Sequence, residues 1–170
     1  FQALVVAVAG CREQKDAVSS FSSWANLVNQ DGGLRMANPD TDTSSRLAFH
    51  ASRIGQPERI GLQTGERLIF MSRFAAPSLN KLFADYTSDQ KGTQPFPASE
   101  QQIATYNEDN PDVTPLRAVV PEKGTLSLDY PWIMNPELSG ELLQHADSAR
   151  TELGTLDMRE ALTEAGFRDP

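Results

Sequence analysis

The densest run of hydroxyls and carboxylates in the chain is Asp40-Thr41-Asp42-Thr43-Ser44-Ser45. Alternating oxygens of this kind can converge on a cation, and a closely spaced aspartate pair can serve phosphoryl transfer. Neither chemistry has its context. An EF-hand-type calcium loop needs glycine at its sixth position and a bidentate acid at its twelfth, where this chain has Ser45 and Ala51. A phosphatase aspartate should end a hydrophobic strand, but Asn38-Pro39 intervenes. The run does suit a helix start, where Asp, Ser and Thr side chains accept hydrogen bonds from the first free N–H groups, worth roughly 0.5–2 kcal/mol for a good cap. A ligand can use the same donors. Thr43, Ser44 and Ser45 would then offer hydroxyls, and the first-turn amides a partial positive charge, to a carboxylate or oxyanion. Asp40 and Asp42 compete for those amides and repel an anion, while Arg46 can offset one of them.

Ser99-Glu100-Gln101-Gln102 reads as a capping box, in which the serine and the glutamine three residues later satisfy each other's exposed amides. Glu100 at that helix start is favoured by the dipole, and the same position would let it face a cleft. Tyr130 presents a polar tip on an aromatic body, which makes it a better binding residue than Trp24 or Trp132, expected in the core or on a sheet face. His50 and His145 lack HExxH or H-x-H partners and sit beside the apolar stripes of their helices, the pattern of core-edge histidines. No GxSxG elbow, Walker loop or GxGxxG fingerprint occurs.

These residues must be positioned by a chain of 170 residues with 39% hydrophobic content, enough for a substantial core. Its formal charge of −8 gives nucleic acid and anionic lipid no electrostatic grip, which excludes a sequence-independent phosphate-backbone binder. The single cysteine, Cys11, excludes an intrachain disulfide, a CxxC pair and a cysteine-rich zinc site. Val8-Ala9-Gly10-Cys11 matches the small-residue box before a lipidated cysteine, although no basic region precedes it and the apolar run is short. The other reading of residues 4–9, LVVAVA, is a doubly covered strand, since Val5, Val6 and Val8 are β-branched. No stretch approaches the ~20 apolar residues of a membrane span.

Downstream, Ser19 and Ser20 offer an N-cap to a helix carrying Phe21, Trp24, Leu27 and Val28. A second strand is expected over residues 34–37, then a helix with Leu47, Ala51 and Ile54 on its buried stripe. Gly55, Pro57, Gly61 and Gly65 punctuate the next segment, and two short helices follow at 68–75 and 79–86. A short strand before Ala98, the capped helix to about Tyr106, and strands at 116–120 and 125–134 come next. Leu138, Leu142, Ala146, Ala149 and Leu153 mark a long amphipathic helix, and Gly166 closes a second one. Strands alternating with helices predict α/β layers.

The succession LVVAVA, SSWANLV, ANPDTDTSS, FPASEQQIATYN, LRAVVPEKGTLSLDYPWIM and REALTEAGFRDP resembles the bacterial extracellular solute-binding domain of the type II periplasmic-binding-protein fold, of the kind joined to von Willebrand factor type A domains. The resemblance implies an α/β lobe with a mixed, mostly parallel sheet flanked by helices. Residues 1–170 would form one such domain, a fragment comprising the second lobe plus returning C-terminal segments. It implies a non-enzymatic, extracytoplasmic module, at the cell surface or membrane-anchored through parts outside this chain, that holds a small polar solute in an interlobe cleft without metal or cofactor. Thr43, Ser44, Ser45, Ser99, Glu100 and Tyr130 would face that cleft. The alternative is a protein–protein interaction module of a cell-envelope protein with a von Willebrand factor type A domain and no small-molecule ligand. The chain departs from oxyanion binders of that fold at Ser45-Arg46, where a small glycine often permits close backbone approach.

Overall fold

A computed structural model describes residues 2–9, 21–30, 33–90 and 94–168. The strand expected at the N-terminus is the centre of the sheet. β1 (Gln2–Ala9) is buried through Ala7. It pairs antiparallel with β2 (Phe96–Ser99), from Leu4 opposite Ser99 to Ala7 opposite Phe96. β3 (Leu116–Val119) also pairs antiparallel with it, from Val6 opposite Val119 to Ala9 opposite Leu116. A two-residue strand, β4 (Ser127–Leu128), pairs β1 as well.

This overturns the expected periplasmic-binding-protein-like lobe with a mostly parallel sheet: 48% of the described residues are helical and 13% are strand, in a small antiparallel sheet. The physical reason lies in the two strands that did not form as read. Residues 34–37 spend their backbone groups elsewhere. Arg35 N–H donates to Pro95 O at 2.8 Å and Ala76 N–H to Met36 O at 2.9 Å, leaving one isolated parallel bridge between Ala37 and Ala76. Residues 125–134 supply only β4, since Pro131 has no N–H to extend a ladder. What survives of the α/β layering is β2, a helix and β3, two strands running the same way with β1 antiparallel between them.

The chain divides into two compact units, residues 3–127 and residues 128–170 with the first two. The larger unit holds α1 (Trp24–Asn29), α2 (Thr43–Ala51), α3 (Glu58–Ser72), α4 (Leu79–Ser88) and α5 (Glu100–Asp109), of which α2 and α5 pack on the sheet and α3 packs on α1. One face of β1 presents Ala3, Val5 and Ala7 to a core made with Leu79, Leu82 and Tyr86 of α4 and Ile103 and Tyr106 of α5. Leu4 and Val6, pointing the other way, are equally inaccessible, as are Trp24, Leu27 and Met36. Trp24 Nε1 donates to Thr125 Oγ1 at 3.1 Å, and that hydroxyl donates to Leu4 O at 2.7 Å, so the indole keeps a partner while buried. The N-cap of α1 is Ser23, which accepts from Asn26 N–H. The expected caps Ser19 and Ser20, like Cys11, lie outside the described residues.

The second unit holds α6 (Gly140–Leu153) and α7 (Leu156–Glu164), neither with a buried residue. Gly166, at φ 85°, ends α7 as expected: Phe167 N–H reaches Leu162 O at 2.9 Å and Gly166 N–H reaches Thr163 O at 3.0 Å, the double bond of a Schellman turn. No helix among the described residues is long and apolar enough to cross a membrane.

Candidate ligand cleft between two capped helices

Three helix starts approach one another in the larger unit. Asp42 is the N-cap of α2, its Oδ2 accepting from Ser45 N–H at 2.7 Å. Ser78 caps α4 by accepting from Lys81 N–H at 3.3 Å. Ser99 caps α5 in the capping box anticipated from the sequence: Gln102 N–H donates to Ser99 Oγ at 3.2 Å and Ser99 N–H to Gln102 Oε1 at 2.8 Å. The same Gln102 oxygen accepts from Ser44 Oγ at 3.2 Å, which fastens the start of α2 to the start of α5.

Beside this junction opens a cleft of ≈ 690 Å³ between α4 and α5. Its apolar part is Pro77, Leu79 and Phe83, and the Phe83 ring stacks on Tyr106 with centroids 4.8 Å apart and planes 13° from parallel. The Tyr106 hydroxyl shares a 2.8 Å hydrogen bond with Thr87 Oγ1, so the ring cannot swing without losing it. Along α5 the polar wall is Gln101, Thr105 and Asp109, spaced four apart and therefore on one stripe. Gln101 Nε2 donates to Thr105 Oγ1 at 3.0 Å. Asn80 and Asn110 complete the rim.

The residues expected to bind ligand are distributed as follows. Ser44, Ser45 and Ser99 are buried, and Ser45 Oγ accepts from Ala37 N–H at 3.0 Å, so it holds the segment before α2 in place. Thr43 is exposed in the first turn of α2, and Glu100 is half-buried at the first position of α5. Ser44 and Ser99 meet through Gln102. Tyr130 belongs to the other unit, where its hydroxyl donates to Gln2 Oε1 at 3.3 Å and its ring meets Phe167 edge-on at 5.5 Å. Arg46 is committed to the loop ahead of α2, donating to Pro39 O at 2.9 Å and Asp40 O at 2.7 Å.

Sequence reasoning passed over Asn80, Gln101, Thr105 and Asp109. The signal for the last three was present as a polar i, i+4, i+8 stripe opposite buried Ile103. Both histidines are solvent-exposed, rather than at a core edge, and among the described residues no group of three His, Cys, Asp or Glu side chains could hold a metal ion. No family model, curated protein or solved structure matches the chain.

Proposed function

We propose that the protein is a non-enzymatic binding module whose small polar solute occupies the α4–α5 cleft. The observation that carries this reading is the cleft itself: ≈ 690 Å³ with hydrogen-bonding side chains arrayed around one aromatic pair. That volume falls within the roughly 300–1,000 Å³ of small-molecule sites. The walls are stiff, because three capped helix starts and the Phe83–Tyr106 stack fix them, and a preorganised wall loses little entropy on binding. Its hydroxyls point to binding rather than turnover. Thr105 is paired with an amide and Ser78 accepts a backbone N–H, and neither partner can activate a nucleophile.

A second reading, a protein-contact module, is favoured by one observation. Phe70 and Phe74 of the α3 end are 60% and 71% exposed and lie ring to ring at 5.1 Å. Paired exposed aromatics are the kind of residue that anchors protein interfaces.

Thermal melting against a panel of sugars, polyols, amines, amino acids and oxyanions separates the two. A ligand at about a hundredfold excess over its Kd adds about 2.7 kcal/mol to stability. Wild type is expected to shift with one class of solute, and Thr105→Trp, which fills the cleft from an exposed position, to melt normally and lose the shift. No shift from any class, or a shift that survives Thr105→Trp, transfers the assignment to the α3 aromatics.

A further inference from the structure

We propose that the protein pairs with a second copy of itself through α3, an interface separate from the α4–α5 cleft, to whose lining α3 contributes no residue. α3 packs on α1, and its buried residues, Thr64 and Leu68, lie one turn apart on one side. Leu62, Glu66, Ile69 and Arg73 follow one another at spacings of four, three and four, which places them on a single stripe along the opposite side. Leu62, Ile69, Phe70 and, just past the helix end, Phe74 are each more than half exposed, and the Phe70 and Phe74 rings lie against each other.

Four large side chains exposed to this degree amount to roughly 450 Å² of apolar surface, as much as the largest patch on an ordinary monomer. Two such patches, at the roughly 65% apolar share of homodimer interfaces, correspond to about 1,400 Å² in total. That is within the ~1,200–2,000 Å² of specific interfaces.

Charge selects the occupant and its direction. Glu66 and Arg73 are exposed, and among the described residues neither side chain has an ion pair. About 10 Å of helix separates them, too far for them to pair with each other. They flank Ile69 and Phe70 symmetrically, each about 5 Å along the axis from the midpoint of the two. A two-fold axis at that midpoint therefore sets Glu66 of each copy against Arg73 of the other, twice, with Ile69 and Phe70 meeting their own counterparts in between. Parallel pairing would set glutamate against glutamate and arginine against arginine, so the charges that favour the antiparallel pair oppose the parallel one. At about 0.15 M salt the Debye length of about 8 Å damps the repulsion between two chains of net charge −8 and leaves charges in contact to interact.

Sedimentation equilibrium of the full chain at that salt tests the inference. A monomer–dimer equilibrium is expected, with a Kd of about 100 μM or tighter. Ile69→Glu, which places a carboxylate against its own counterpart at the axis, is expected to leave the chain monomeric. Glu66→Arg sets arginine against arginine twice and is expected to raise Kd about tenfold or more, and adding Arg73→Glu to the same chain should return Kd to within about threefold of wild type. All three positions are exposed, so melting temperatures should stay near that of the wild-type monomer. Thr105→Trp, which fills the cleft, should leave dimerisation unchanged, so that failure of the solute reading and failure of the dimer are separate results. A monomer at every concentration up to about 0.5 mM overturns the inference and leaves the α3 aromatics to a different protein. A dimer that survives Ile69→Glu overturns it in favour of another surface, and a Glu66→Arg defect that Arg73→Glu does not repair overturns it too.

Discussion

Ser44 and Ser45 show how far a side chain's role depends on partners outside its own helix. Their place after Asp42 marks a helix start, and Asp42 does cap it. Yet their hydroxyls turn inward, Ser44 to Gln102 and Ser45 to Ala37 N–H, 58 and 8 residues away. Ala37 opens the same segment ANPDTDTSS, but nothing local in it encodes Gln102. Ser45→Ala leaves a buried N–H without an acceptor and is expected to cost about 1–3 kcal/mol, whereas exposed Thr43→Ala should stay within about 0.5 kcal/mol; urea denaturation of both variants checks the contrast. A second residue-scale expectation concerns Asp85. The hydrogen-bonded Lys81 ammonium, followed by Arg35 at 2.7 Å, holds its carboxyl below the usual aspartate range. A depressed folded-state pKa means the carboxylate stabilises the fold above the unfolded value, and the contribution disappears as pH falls through the lowered one. Melting curves across pH should therefore show wild type above Asp85→Asn at neutrality, with the gap closing below roughly pH 4.

At the scale of elements, local signals with a complete partner set within a few residues were legible. The capping box at Ser99, the strand of β-branched valines and the Gly166 stop all formed as read. Signals that needed a distant partner were not. The turn reading of Gly61 and Gly65 failed because α3 runs through both, with Thr64 and Leu68 buried one turn apart and Asn29 Nδ2 donating to Thr64 Oγ1 at 3.0 Å. Tertiary packing outweighed glycine's low helix propensity. At Gly65 an added Cβ meets nothing within 4 Å. Gly65→Ala is accordingly expected to stabilise the protein by about 0.4–1 kcal/mol, seen as a higher melting temperature. The wrong sheet class has the same origin: alternation of strands and helices predicts layers, but strand direction is set by which edge of β1 each short segment reaches.

For the whole molecule, burial divides along the chain. Residues 3–127 contain the apolar core around β1, while α6 and α7 bury no residue, leaving Leu142 65% and Leu156 70% exposed. Amide exchange follows local stability. The central amides of β1 should be the slowest in the chain and those of α6 and α7 at least about a hundredfold faster; equal protection in α6 would show it to be covered in solution by another surface. The α4–α5 cleft lies wholly within residues 3–127, so the solute binding proposed for it belongs to that unit.

The most direct test of the binding-module account is amide chemical-shift mapping of the full chain, titrated with whichever solute of the panel raises the melting temperature. The account predicts perturbations concentrated at residues 78–83 of α4 and 101–110 of α5, saturating with a single binding curve. Perturbations centred instead on Phe70 and Phe74, or spread over α6 and α7 with the cleft silent, would contradict it.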